Sequence, residues 1–169
     1  RGLQNIKNSV EAVDAYLSKT ADEIFVKTGI FTKSELHARY EIKLEDYIKK
    51  IQIEGRIMDE LAHTHIIPAA VAYQTRLADA INSMTQAGIA KTSLKTLTEL
   101  LKEISGHLNE FKTAVDNMVE ERKAANNLSD TKQKAMAYCH KVQVTFDKIR
   151  RHADKMEMLI DDDLWTLVK

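Results

Sequence analysis

The stretch "TSLKTLTELLKEISGHLNEFKTAVDNMVEERKAAN", Thr92 to Asn126, carries the plainest structural signal in this chain. Leu94, Leu97, Leu101, Ile104, Leu108, Phe111, Val115 and Met118 follow one another at alternating steps of three and four. That spacing lines them along one side of an α-helix, a seam of heptad type. At about 1.5–3 kcal/mol per fully buried large apolar side chain, the seam offers on the order of 15 kcal/mol gross, before conformational entropy is subtracted. A lone helix would leave the seam in water, so another surface has to cover it.

The chain supplies two such surfaces. After the turn "NNLSD" (Asn126 to Asp130), where Ser129 or Asp130 can cap a helix, the same rhythm returns at Ala135, Cys139, Val142, Phe146, Ile149, Ala153, Met156 and Ile160. Two seams joined by a short turn make an antiparallel hairpin. At ~1.5 Å per residue each arm is roughly 50 Å long.

The other surface is "SELHARYEIKLEDYIKKIQIEGRIMDELAHTHIIPAA", Ser34 to Ala70. It is introduced by "TKSE" (Thr32 to Glu35), which has the form of a capping box. Its apolar positions include Leu36, Tyr40, Leu44, Tyr47, Ile48, Ile51, Met58 and Leu61, and resume at Tyr73, Leu77, Ile81 and Met84. Gly88 is the expected stop. Pro68 lacks an amide hydrogen and crowds the carbonyl of Thr64, which costs ~3 kcal/mol inside a helix. A kink or a break is expected there.

Upstream, Leu3, Ile6, Val10, Val13 and Leu17 share a helical face that ends near Ser18. "TADE" (Thr20 to Glu23) resembles a second capping box, opening a short helix that stops at Gly29. The expected fold is therefore all-α: an elongated antiparallel helical bundle of three long helices, the first kinked near Pro68, with short N-terminal helices packed at one end. Residues 1–30 form the short helices and a link to an upstream region. Residues 31–169 form the bundle, with the long helix over 32–87 and the hairpin over 92–126 and 130–162.

Composition excludes several function classes. Lysine plus arginine and aspartate plus glutamate number 25 each, giving zero net charge, so nothing draws the chain to nucleic acid or an anionic membrane. The basic cluster "KIRRH" (Lys148 to His152) has no interleaved aromatics. No apolar run reaches the roughly 18 residues of a membrane span, and nothing resembles a signal peptide. Cys139 is the only cysteine, which suits a reducing cytosol, and its place on the seam points to packing. The chain begins at Arg1, as a piece of a longer protein would.

Chemistry-bearing motifs are nearly absent. No phosphate loop, zinc pattern, nucleophile elbow or triad-like order occurs. "ELAH" (Glu60 to His63) has the Glu-x-x-His spacing of di-iron bundles, but such sites need a second copy, and there is none. His63 and His65, two apart, point away from one another on a helix unless Pro68 unwinds that turn. His107 and His140 lie on the hairpin arms beside no recognisable partner motif. "DDD" (Asp161 to Asp163) at a helix end reads as a solvated stop or as a site for a cation or a basic surface. Trp165, just beyond it, calls for an apolar pocket.

Two stretches are more specific. "FTKSELHARYEIKLEDYIKKIQIEGRIMDELAHTHIIPAAVAYQ" (Phe31 to Gln74) and "ADKMEMLIDDDLW" (Ala153 to Trp165) resemble the carboxy-terminal region of type III glutamine synthetases, with "ELHARYEI", "IIPA" and "DDDLW" in that family's order. The resemblance implies a cytoplasmic parent enzyme that joins ammonia to glutamate using ATP and magnesium or manganese, and that assembles as stacked hexameric rings. The catalytic barrel of that family lies upstream, so the resemblance assigns no catalytic, cofactor or metal residue to Arg1–Lys169. It implies instead a non-catalytic region that docks onto the upstream catalytic domain and neighbouring subunits. Arg39 and Glu41 would supply charged hydrogen bonds, Tyr40 and Tyr47 amphipathic area, and Trp165 a further docking contact. Two alternatives stand beside it: an autonomous helical adaptor with no enzyme parent, and a metalloprotein built on Glu60 and His63.

Overall fold

The structure, a computed structural model, describes residues 5–167. Among them, helices are the only regular secondary structure, so the all-α expectation holds. The long elements are α3 (Lys33–Leu61), α4 (Ile67–Gln86), α5 (Lys95–Asn126) and α7 (Phe146–Leu159). Shorter ones are α1 (Ser9–Val13), α2 (Lys19–Ala21) and α6 (Thr131–Ala137).

The helix ends follow local chemistry. Thr32 and Glu35 form the full capping box: the Thr32 amide donates to Glu35 Oε2 at 2.7 Å, and the Glu35 amide to Thr32 Oγ1 at 3.2 Å. Of the two candidates before α6, Asp130 is the cap, accepting from the Gln133 amide at 2.7 Å. α4 ends in a Schellman motif: Ile89 donates to the Met84 carbonyl and Gly88 to that of Thr85, with Gly88 at φ 85°. Gly29, at φ 76°, closes the upstream helices as expected.

Two expectations near the amino terminus fail. α1 begins at Ser9, because Asn8 caps it by accepting from the Glu11 amide at 2.8 Å; Leu3 lies outside the described residues. Beyond Val13 the chain tightens into a 3₁₀ turn, Asp14–Leu17, so a 3.6-residue face does not persist. Val10 is buried, whereas Ile6 and Leu17 are exposed. α2 is capped by Ser18, whose hydroxyl accepts from the Ala21 amide at 3.1 Å, and not by the expected Thr20–Glu23 box.

Pro68 is accommodated by a change of helix type. α3 gives way to a π-helical turn, Ala62–Ile66, and Pro68 falls in the first turn of α4, where its missing N–H costs little. The Ile67 amide reaches back five residues to Ala62. A second interruption was not foreseen. Between α6 and α7 lie a π-turn, Tyr138–Val142, and a 3₁₀ turn, Gln143–Thr145. The π-turn underwinds and the 3₁₀ turn overwinds, so the two offset. Ala135, Cys139, Val142, Phe146, Ile149, Met156 and Ile160 are all buried, with Ala153 half-buried.

The chain divides into two compact units. One takes in residues up to Gly55 with Glu120–Val144; the other takes in Arg56–Val119 with the residues from Thr145 onward. In the first, Leu36, Tyr40, Leu44, Ile48 and Ile51 of α3 are buried with Ala135, Tyr138, Cys139 and Val142. Asn126 Oδ1 accepts from Tyr138 Oη at 2.7 Å and from Gln52 Nε2 at 3.3 Å, linking the end of α5 to its neighbours. Lys132 donates to the Val10 carbonyl at 3.1 Å and pairs with Asp14, which holds α1 against α6.

In the second unit Leu94, Ile104, Phe111, Ala114, Val115 and Met118 of the α5 region are buried, as are Leu77 and, on α7, Phe146, Ile149 and Met156. Antiparallel α5 and α7 are joined by His107–His152 and Glu110–Lys148. Gln74 donates to Ser105 Oγ at 2.7 Å, fixing α4 on α5. Met84, expected on the seam, is exposed where α4 runs out.

Candidate docking surface

Of the residues that sequence reasoning offered for docking, three are engaged within the chain. Tyr40 is buried, and its hydroxyl is raised above the usual phenol range by that burial and then by the Asp14 carboxylate. Tyr47 is half-buried and donates to Gln143 Oε1 at 2.7 Å. Burial, and then the Cys139 thiol, push its phenol up as well. Trp165 is only 8% exposed. The chain turns at Asp161, whose side chain accepts from the Asp163 amide at 3.0 Å and from Arg76 Nη1 at 3.3 Å. The Trp165 amide bonds the Asp161 and Asp162 carbonyls, and Thr166 Oγ1 sits 2.7 Å from His65 Nδ1. The acid run thus builds a turn that tucks the tryptophan into its own unit.

Arg39 is exposed, its guanidinium 4.3 Å from the Phe31 ring centroid, and Glu41 is half-buried. The Phe31 ring lies 5.6 Å from that of Phe25. Arg39 therefore covers an aromatic pair at the start of α3, a cation–π contact.

Among the large apolar side chains that remain open are three that the sequence reading did not offer for docking. Leu17 is 51% exposed, Ile24 50% and Ile30 57%. Leu17 ends the 3₁₀ turn, Ile24 lies in the π-turn Asp22–Val26, and Ile30 follows Gly29. Each is displayed because the short helices change pitch every few residues, so no single apolar stripe can turn inward. Between these turns and α3 runs a groove of about 520 Å³ lined by Tyr16, Leu17, Asp22, Lys33, Leu36 and His37. Lys33 and Asp22 approach to 3.8 Å across it. For Ile24 and Ile30 the signal available in the sequence was a large apolar residue outside any sustained helical period.

Glu60 and His63 do not form a metal centre. His63 Nδ1 is 3.0 Å from the Asp59 carbonyl and 3.1 Å from Asp59 Oδ1. Among the described residues no three His, Cys, Asp or Glu side chains converge as a metal ion requires. No helix among them is long and apolar enough to cross a membrane.

A family model described as the glutamine synthetase C-terminal domain matches residues 1–85, the half of the chain that holds the exposed turns, the groove, α3 and nearly all of α4. The chain belongs to that family. A glutamine synthetase from Bacteroides fragilis (strain YCH46) is 38% identical over 173 residues, covering 100% of this chain and 24% of that protein. One from Butyrivibrio fibrisolvens is 31% identical over 96% of the chain, and a type-3 glutamine synthetase from Dictyostelium discoideum is 26% identical over 100% of it. The resemblance read from Phe31–Gln74 and Ala153–Trp165 is borne out. The chain spans about a quarter of the length of the relatives it matches.

Proposed function

We propose that this chain is the non-catalytic C-terminal helical region of a type III glutamine synthetase and serves to dock and position the catalytic part of that enzyme within its assembly. ATP, magnesium or manganese, and the ligation of ammonia to glutamate belong to the catalytic part, in the cytoplasm. The observation that carries the reading is the trio Leu17, Ile24 and Ile30, large apolar side chains half or more in water, with Leu17 lining a groove, in a family whose members are several times longer. Exposed apolar groups edged by charge (here Lys19, Glu23, Lys27 and Lys33) are what a protein interface presents before it closes.

The test uses the whole enzyme and the chain by itself. Calorimetry on the chain is expected to give no heat with ATP, and a coupled assay no glutamine. In the whole enzyme, Leu17→Lys, Ile24→Lys and Ile30→Lys together are expected to reduce the assembled mass measured by light scattering while leaving helical circular dichroism intact. Nucleotide binding by the chain alone would overturn the reading. So would full assembly of the triple variant.

A further inference from the structure

His107 on α5 and His152 on α7 face one another with their Nδ1 atoms 3.0 Å apart and their ring centroids 5.3 Å apart at 54°. Both are half-buried. A hydrogen bond between two ring nitrogens needs a hydrogen on one and a lone pair on the other. The spacing therefore holds while one of the two Nδ1 atoms is bare. With both rings protonated, two N–H groups of like charge point at each other. We propose that His107 and His152 form a proton-sharing clasp between α5 and α7, closed at neutral pH and sprung when both imidazoles are charged.

The surroundings compensate the second proton only in part. One rung along, Glu110 of α5 is paired with Lys148 of α7 at 2.8 Å. The Lys148 ammonium holds the Glu110 carboxyl below its usual range, so that acid stays ionised, and its charge favours protonated His152 by less than burial and the His107 ring oppose it. Lys148 and Arg151, from the histidine's own helix, add like charge at His152. α4 touches α5 through Gln74 and Ser105, and its charged groups are Arg76, paired with Asp161, and exposed Asp79. Burial, and then the His107 ring, lowers the pKa of His152. Its folded-state value lies below the unfolded one, so the unfolded chain binds more protons as acid is added. The clasp's contribution is present above the ordinary histidine value of 6.5 and is lost as pH falls through the folded value. The seam it flanks includes Ile104, Phe111, Ile149 and Met156, all buried, so springing the clasp loosens this part of the second unit.

This inference stands apart from the docking reading, and its test uses the full chain. Long-range proton–nitrogen spectra at pH 8 are expected to show opposite tautomers at the two rings, Nδ1–H on one and Nε2–H on the other. The midpoint of His152 is expected below 6.5 and to move up toward that value in His107→Gln. The Tm of the wild type is expected to fall more between pH 7.5 and pH 5.5 than that of His107→Gln/His152→Gln. The same tautomer at both rings, or two independent titrations at the ordinary value, would overturn the clasp without any variant having to fold. Equal acid losses in wild type and double variant would overturn its role in stability.

Discussion

At the scale of single residues, side-chain direction decided what became of each aromatic group. Tyr40 and Tyr47 are spaced for α3's inner face, and both are spent there, one buried and one held by Gln143. Trp165 is the only tryptophan, and its indole Nε1 is buried without a hydrogen-bond partner. Leaving such a donor unpaired costs about 1–3 kcal/mol. Trp165→Phe removes that cost together with some buried area, so stability should change by no more than about 1 kcal/mol, whereas Trp165→Ala should cost about 3–5 kcal/mol. Urea melts of the variants compare the two, and in the wild type intrinsic fluorescence should be blue-shifted until the tail unfolds. The Thr32–Glu35 box makes a second prediction. Thr32→Ala should cost about 1 kcal/mol in the same melts. The Thr32 amide, and then its hydroxyl, lower the pKa of Glu35 below 4.5. Its folded value is thus the lower one, so its contribution is present above pH 4.5 and fades as pH falls through the folded value. Glu35→Gln should flatten that part of the acid profile.

At the scale of elements, proline did not break the long helix in the way that a fixed helical period suggests. A π-turn takes up the strain over Ala62–Ile66, keeping Ala62, Ile66, Ala69 and Ala70 buried on either side. If Pro68 were an interior helix residue, its removal would gain about 3 kcal/mol. Placed directly after the π-turn and not within an unbroken α-helix, it should cost the folded chain little. Pro68→Ala is expected to lose about 0.4–1 kcal/mol through the freer unfolded chain. Chemical denaturation with unchanged m-value would bear this out, and a gain in stability would contradict the placement. The same kind of adjustment over Tyr138–Thr145 explains how one heptad rhythm runs from Ala135 to Ile160 through backbone that is not a single α-helix.

At the scale of the whole molecule, stability rests on seams. Phe111, Val115 and Met118 are fully buried within the second unit, beside Ile104. Phe111→Ala should cost about 3–5 kcal/mol, a large share of the 5–15 kcal/mol that holds a typical domain. Differential scanning calorimetry should show a markedly lower Tm, and a loss under about 1 kcal/mol would mean the seam is not close-packed. The balance of 25 basic and 25 acidic residues leaves the chain without the net charge that would steer it to a polyanion.

Much of this was written in local sequence. The heptad seams, the capping box at Thr32, the cap at Asp130 and the stops at Gly29 and Gly88 all depend on residues within a few positions of one another, and a single chain displays those spacings directly. Local rules also misled where two local choices competed, as when Ser18 capped α2 in place of Thr20. What only tertiary structure decided are the meetings of distant residues: Lys132 with Asp14, Tyr138 with Asn126 across the hairpin turn, Thr166 with His65, and His107 with His152. Helical period says which side a residue faces but not which residue waits opposite, because the axial offset between packed helices is fixed by the fit of side chains along both of them.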